Sequence, residues 1–242
     1  GLVDPPVEVR PLAGQIDDVM AEIRAVAKDG DRTLVTTLTK RTAEDLTIYL
    51  TEAGLRVEYL HSDIEALERV EILGRLRRGE FDCLVGINLL REGLDLPEVA
   101  LVAVLDADKE GFLRSETSLI QTAGRAARHL HGRVILYAEQ VTDSMQRMME
   151  VTENRRRRQL AYNAEHGIIP RGIVSEIKSP LAIPGQGSEP KKAGAAGDGD
   201  EDTLYDIQAV MSQLHGEMLK AAEELDFETA ASLRDQIREL EG

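Results

Sequence analysis

Short runs rich in Val, Leu and Ile alternate with amphipathic stretches through the first 140 residues. The apolar runs cover 32–39, 57–61, 82–88, 100–106 and 133–138. Several of them are almost continuously apolar, which is typical of strands buried on both faces. The stretches 14–28, 42–52, 66–78 and 115–129 instead repeat apolar residues at helical spacing. This alternation predicts an α/β fold in which a parallel sheet carries helices on both faces.

The remaining third of the chain has a different organisation. A polar helix is predicted from about 143 to 165, and 184–199 is rich in Gly and Pro without apolar periodicity, which is typical of a flexible linker. Two apolar stripes follow, separated at Asp226 and Phe227. Because Asp is a good N-cap, we expect an antiparallel helical hairpin here. The predicted parts are therefore a domain over 1–176, a linker over 177–202 and a hairpin over 203–242.

Charge is distributed unevenly over these parts. The chain has 29 basic and 44 acidic residues, a net charge of −15. From 198 to 242 there are 13 acidic and 3 basic residues, so this end repels nucleic acid and suits a protein partner. A short hairpin buries too little surface to be stable alone, which favours dimerisation or a helical partner. The alternative is a hairpin that docks on its own domain, and the long linker argues against it. The basic run Arg155–Arg158 suits either a solvated helix face or phosphate contact.

The composition also excludes several classes of protein. Cys83 is the only cysteine, so an intramolecular disulfide and a cysteine metal cluster are both excluded. No apolar run reaches about 18 residues, and the first residues lack the pattern of a signal peptide. We expect a protein of the cytoplasm with no metal centre of its own and no membrane contact.

One candidate site is the sequence QTAGRAAR at 121–128. Helical spacing would place Gln121, Gly124, Arg125 and Arg128 on one side. Two arginines one turn apart suit phosphate groups, and they could stabilise the charge on a transferred phosphoryl group. The alternative is a solvated arginine face. It explains Gly124 poorly, because a glycine inside a helix costs about 1 kcal/mol relative to alanine.

Two further stretches follow predicted strands, at the edge where open α/β sheets bind ligands. In 89–97, Gly93 permits a tight turn and Asp95 could accept hydrogen bonds. In 36–41, hydroxyl side chains lead into a helix N-terminus, which can bind phosphate oxygens. Ordinary helix capping by Thr39 or Thr42 explains that second stretch equally well.

Taken together, these stretches resemble known motifs. QTAGRAAR resembles motif VI of superfamily 2 helicases, INLLREGLDLP resembles their motif V, and TLVTTLTKR resembles their motif IV region. Their order and spacing match the second RecA-like domain of such motors. More narrowly, YLHSDI, LDADKEGFLRSE and YNAEHGI resemble the UvrB family of bacterial nucleotide excision repair. The end of the chain, LDFETAASLRDQIREL, is similar to the UVR motif, through which that family meets UvrC.

The resemblance implies roles for individual positions. Arg125 and Arg128 would reach the γ-phosphate of ATP across a cleft between two motor domains, with magnesium bound alongside ATP. The other implied positions are Gln121, Gly93 and Asp95 for the nucleotide; Thr37, Thr39, Lys40 and Asn88 for the DNA backbone; and Leu225, Phe227, Ala230 and Arg234 for UvrC. The implied partners are UvrA, UvrC and damaged DNA.

The sequence contains no GxxxxGK[ST] loop and no acidic pair suited to magnesium after a strand. We therefore expect no ATP hydrolysis by this chain alone. Two other functions stay open: the second motor domain of a different superfamily 2 helicase, and a non-enzymatic adaptor for UvrC. The hairpin could serve UvrC binding or homodimerisation, because both would use the same apolar stripe.

Overall fold

The computed structural model describes residues 1–60, 66–87 and 96–172. Strands in these ranges are β1 (Val7–Arg10), β2 (Arg32–Thr36), β3 (Val57–Leu60), β4 (Cys83–Gly86), β5 (Val99–Val104) and β6 (Arg133–Tyr137). The α-helices are α1 (Gln15–Lys28), α2 (Lys40–Glu52), α3 (Ala66–Arg78), α4 (Glu116–Ala123) and α5 (Asp143–His166), and short 3₁₀ turns cover Phe112–Arg114 and Gly124–Ala126. The predicted linker and hairpin lie outside the described residues.

The six strands form one sheet in the order β1-β6-β5-β2-β4-β3, and every neighbouring pair is parallel. All residues of β4 and β5 are buried, as expected for strands covered on both faces. The prediction of a parallel α/β sheet is confirmed. All carboxyl ends of the strands therefore meet at one edge, which we call the carboxyl edge.

Helices α1 and α2 share one face of the sheet. The core on this face includes Val19, Ile23 and Val26 of α1, Ala43, Leu46 and Leu50 of α2, and Val35, Val85, Leu101, Ala103, Ile135 and Tyr137 of the strands. Because side chains alternate along a strand, Val102 and Val104 point to the other face. On that side the 3₁₀ turn Gly124–Ala126 contacts β5, and α4 contacts α5.

Two details of the sequence prediction are wrong. The strand β1 was not predicted, because its four residues include Glu8 and Arg10 and it gains its place only by pairing with β6 at the edge. The predicted helix over 115–129 ends at Ala123 and continues as a 3₁₀ turn. Gly124 lies at that transition as the C-cap, where helical propensity counts for less than in a helix interior.

None of the helices in the described ranges has the length and apolarity that crossing a membrane requires.

Candidate functional site

The QTAGRAAR segment begins on α4, whose start is set by Ser115. The Ser115 hydroxyl accepts a hydrogen bond from the Ser118 backbone N–H at 3.3 Å, which is the interaction of an N-cap residue. Leu119 and Ala123 face inward and are almost fully buried. Gln121, Gly124 and Arg128 are exposed, whereas Arg125 is half-buried. The segment thus presents its polar side chains outward, as the sequence spacing predicts, although its second half is not α-helical.

Gly124 has a φ of −59°, a conformation open to any residue. A β-carbon built there would meet no atom of the described residues within 4 Å. Backbone geometry and internal packing therefore do not require this glycine. The hypothesis that a second surface approaches the segment closely stays a prediction.

The end of the segment is fixed by packing against the rest of the domain. Ala126 is fully buried, and a β-carbon on Gly132 would collide with the carbonyl oxygen of Ala126. Nε2 of His129 lies 3.1 Å from a carboxylate oxygen of Asp31, while its Nδ1 accepts a hydrogen bond from the backbone N–H of His131. Because Nδ1 accepts a hydrogen bond, the ring proton lies on Nε2, which donates a hydrogen bond to the carboxylate of Asp31. Both ends of the segment are therefore held, which limits the positions that its arginines can reach.

Arg114 is a residue of this site that sequence reasoning missed. It is 3% exposed, and its Nη2 donates to the carbonyl oxygens of Leu105 at 2.8 Å and Thr36 at 3.3 Å. Burial lowers the pKa of Arg114 to about 10, so the guanidinium is charged at neutral pH. It joins the ends of β2 and β5 to the residue before the N-cap of α4. An arginine beside a cap residue gives no periodic signal, so the sequence offered little to find it.

The hydroxyl-rich stretch after β2 separates into three environments. Thr37 is fully buried, and its hydroxyl donates to the carbonyl oxygen of Thr39 at 3.2 Å. This gives the Thr37 hydroxyl a partner within the turn that leads into α2, and DNA contact by Thr37 stays a prediction. Thr39 is exposed and caps α2, accepting from the backbone N–H of Thr42 at 3.1 Å. Lys40 is exposed at the first turn of the same helix, so DNA contact stays a prediction for Thr39 and Lys40.

The other predicted positions cannot be placed. Asn88, Gly93 and Asp95 lie outside the described residues. The same is true of the predicted UvrC-facing residues Leu225, Phe227, Ala230 and Arg234.

The basic run Arg155–Arg158 lies on α5 and divides into two roles. Arg156 is half-buried and donates to the carbonyl oxygen of Asp4 at 2.9 Å, which fixes the start of the chain against the helix. The other three arginines are exposed, and Arg157 donates to the side-chain oxygen of Asn154 at 2.6 Å. One arginine of the run is therefore structural, and the other three lie exposed on the helix, where phosphate contact stays a prediction.

A network of charged side chains joins β1 and β6 to helix α1. Arg10 contacts Asp18 and Glu22, both at 2.7 Å, while Arg133 also contacts Glu22 and the Tyr137 hydroxyl donates to Asp18 at 2.6 Å. The hydrogen bond from Arg133 holds the pKa of Glu22 below its ordinary value, against the effect of burial. Burial raises the pKa of Asp18, but hydrogen bonds from Tyr137 and Arg10 outweigh it and lower that pKa.

An open groove of about 750 Å³ lies at the carboxyl edge beside this network. It is lined by the ends of β1 and β6 and by the start of α1, including Arg10, Gln15 and Glu139. None of the predicted site residues lines it. Among the residues that the structure describes, no group of three or more His, Cys, Asp and Glu is arranged to hold a metal ion.

Comparison with known proteins places these features in a family. Residues 14–130 match the helicase conserved C-terminal domain, 136–178 match ultra-violet resistance protein B, and 208–242 match the UvrB/uvrC motif. The chain is 58% identical to UvrABC system protein B of Caldanaerobacter subterraneus subsp. tengcongensis over 99% of its own length and 36% of that protein. It is 55% identical to the protein of the same name from Idiomarina loihiensis, again over 99% of this chain and 37% of the relative.

Among solved structures, the chain matches the C-terminal domain of Dbp5 from S. cerevisiae with 21% identity and a TM-score of 0.46, covering 72% of this chain and 90% of that one. The chain spans a little over a third of the length of the curated relatives it matches. The confirmed parallel sheet is the fold expected of the matched helicase domain. With matches to both family-specific regions and more than half of its residues identical to those relatives, the chain belongs to the UvrB family.

Proposed function

We propose that this chain is the second motor domain and UVR motif of the damage-verifying subunit in bacterial nucleotide excision repair. In this function it supplies the arginine half of an ATP site and recruits UvrC through residues 203–242. The observation that carries the proposal is the QTAGRAAR segment, which exposes Gln121 and Arg128 beside a half-buried Arg125 on a backbone anchored at both ends. Family membership supports the same function.

The residues of this segment fit a nucleotide triphosphate. Guanidinium groups bind phosphate oxygens through paired hydrogen bonds and keep their charge at neutral pH. Bound ATP, with its magnesium ion, would supply the phosphoryl group that is transferred to water. Arg125 and Arg128 would then stabilise the charge on the γ-phosphate, and Gln121 would orient polar groups at the same surface. The packing around Ala126 and His129 holds the backbone that carries both arginines before the nucleotide arrives.

The other half of the ATP site must come from residues outside this sequence. A phosphate-cradling loop with its lysine is required for ATP hydrolysis by this class of motor, and the sequence has none. The chain alone should therefore not hydrolyse ATP. Coupled to a first motor domain, closure of the cleft would connect ATP binding to short movements on damaged DNA after delivery by UvrA.

The decisive experiment uses a joined protein, in which this chain replaces the matching third of the Caldanaerobacter relative. Its DNA-stimulated ATPase should fall about 10³-fold or more when Arg128 is changed to alanine, because an arginine acting on phosphoryl transfer contributes that much. Arg125→Ala should give a loss of the same order. Arg147→Ala is the matched control, since Arg147 is an exposed arginine of α5 paired with Asp143 at 3.8 Å.

Circular dichroism and thermal unfolding of each variant separate a catalytic loss from misfolding. Unchanged turnover in both arginine variants would contradict the split ATP site. The adaptor function, in which the hairpin alone acts and the motor fold is a scaffold, would then be the better conclusion. Turnover by the isolated chain that Arg128→Ala abolishes would also contradict the proposal.

Recruitment of UvrC is tested separately, because it depends on other residues. Phe227→Ala should abolish capture of purified UvrC by this chain and leave the thermal unfolding of the motor domain unchanged. Arg234→Ala should also weaken capture, because arginine is among the residues that contribute most at protein interfaces. Sedimentation of the chain alone distinguishes UvrC binding from homodimerisation. A dimer that Phe227→Ala dissociates would mean that the two interactions compete for one surface.

A further inference from the structure

Phe112 stands out as an apolar side chain in water. It is 82% exposed, the highest value among the large apolar side chains that the structure describes. Along the described chain the flanking exposed large apolar side chains are Tyr49 and Leu130, so Phe112 does not belong to an exposed apolar run of the sequence. Apolar patches that dock proteins are contiguous and cover several hundred Å². A single exposed ring in a loop with exposed Lys109 and Glu110 is a different kind of surface.

The backbone that carries this ring is held firmly. The carbonyl oxygen of Phe112 accepts hydrogen bonds from the hydroxyls of Ser115 at 3.0 Å and Ser118 at 2.7 Å. The backbone N–H of Arg114 donates to the carbonyl oxygen of Gly111 at 3.0 Å, and the Arg114 side chain is fixed on the ends of β2 and β5. A contact made from such a fixed position loses little further entropy on binding.

The ring lies near the carboxyl edge of the sheet. Arg114 contacts the last residue of β2, and Phe112 is only two residues, at most about 7 Å of chain, from Arg114. The exposed Thr39 and Lys40 follow the same strand end by three and four residues. Lys109 and Glu110 are both exposed beside Phe112 and offset each other in charge. The loop therefore offers an aromatic ring at the same edge of the sheet at which α2 begins with the exposed Lys40.

We infer that Phe112 is a stacking contact for a nucleobase of a single DNA strand that runs along the carboxyl edge. The inference rests on the proposed function, which brings DNA to this domain. Aromatic side chains beside cationic groups are the usual way in which proteins hold single strands without reading their sequence. Ser115 and Ser118, at the start of α4, donate hydrogen bonds to the carbonyl oxygen of Phe112. A base that moves this ring would therefore act on the helix that leads to Arg125 and Arg128. DNA contact would thereby be linked to the nucleotide side of the domain.

The test measures binding of a fluorescent single-stranded oligonucleotide to the joined protein by anisotropy. Phe112→Ala should weaken binding roughly 5- to 150-fold, the range measured for removing one base–aromatic stack. Phe112→Trp should retain binding. Tyr49→Ala is the matched control, because Tyr49 is an aromatic of α2 with 48% exposure that lies nine residues beyond Lys40, away from the carboxyl edge. Thermal unfolding should be unchanged in each variant, since the altered side chains are exposed.

A second arm identifies a base as the ligand. Single abasic sites are placed in turn along the oligonucleotide. One position should weaken wild-type binding and have no further effect on Phe112→Ala. If each abasic site affects the two proteins equally, the ring does not meet a base and the inference is wrong. Wild-type affinity in Phe112→Ala would overturn this inference alone, whereas a wild-type joined protein that fails to bind DNA would overturn the proposed function as well.

Discussion

Arg114 donates a hydrogen bond of 2.8 Å to the carbonyl oxygen of Leu105, from the loop that leads into α4. The same nitrogen contacts the carbonyl oxygen of Thr36, 78 residues earlier in the chain. Two central strands and the helix bearing the QTAGRAAR segment are thus joined at one guanidinium. This contact makes the position of the candidate ATP-site arginines depend on the ends of the sheet.

Removing this guanidinium should destabilise the domain. Arg114→Met leaves the carbonyl oxygen of Leu105 without its side-chain donor, whereas the carbonyl oxygen of Thr36 keeps the hydrogen bond from the backbone N–H of Leu105 at 3.0 Å. One buried unsatisfied group costs about 1–3 kcal/mol. We expect the free energy of unfolding, measured by urea denaturation of this chain, to fall by about 1–3 kcal/mol. The free energy of unfolding of Arg114→Lys should lie between those of the wild type and Arg114→Met, because an ammonium group cannot reproduce the planar geometry of a guanidinium group. An unchanged urea midpoint for Arg114→Met would contradict this role, and Arg147→Ala should leave the midpoint in place.

Gly132→Ala should destabilise the QTAGRAAR segment, because position 132 packs against its backbone. The new β-carbon would collide with the carbonyl oxygen of Ala126, which is backbone and cannot rotate away. Forcing an extra carbon into a packed site costs about 1–3 kcal/mol. We expect a lower melting temperature for this chain and reduced ATPase in the joined protein. Wild-type stability would mean that the loop 127–132 relaxes without moving Ala126.

Gly124→Ala, unlike Gly132→Ala, should not lower the stability of the domain. Its φ of −59° suits alanine, and the space around its β-position is open, so the melting temperature should stay the same or rise slightly. If another motor domain packs against this segment, the added methyl group should still lower DNA-stimulated ATPase of the joined protein. Full ATPase activity would show that no surface approaches Gly124 closely. Comparison with Gly132→Ala separates a loss at the interface from a loss of folding.

The network at β1 and β6 predicts loss of stability in acid. The folded-state pKa values of Asp18 and Glu22 lie below their ordinary values of 3.8 and 4.5. Their contribution is therefore present above about pH 4.5 and is lost as the pH falls through the folded-state values. Tyr137→Phe removes the hydrogen bond to Asp18, which should cost about 1 kcal/mol at pH 7, a small value because the Asp18 side chain is 43% exposed.

Thermal unfolding of the wild type and of Tyr137→Phe from pH 7 to pH 3 tests this account. The difference in stability should narrow as the pH falls below the ordinary Asp value of 3.8 and through the lowered folded-state pKa of Asp18. A difference that stays constant over this range would mean that Tyr137 contributes by packing alone. High salt should change the difference little, because the Tyr137 side of the contact is buried.

Local patterns in the sequence determined much of this protein. The period of apolar residues set the bounds of α3 at 66–78, as predicted, and placed five strands within a few residues. Spacing also placed Gln121, Gly124, Arg125 and Arg128 on one side, and three of these residues are exposed whereas Arg125 is half-buried. These features depend on residues close together in the sequence, so the local period of apolar and polar residues predicts them.

Only the tertiary structure decided which distant residues meet. It placed β1 at the sheet edge, used Arg156 to hold the start of the chain, and buried Arg114 against strand ends. It also required glycine at position 132, because the carbonyl of Ala126 occupies the space of a side chain. The contact between Tyr137 and Asp18 joins residues 119 apart. Such pairs are fixed by strand order and packing, and no repeat along the chain encodes them.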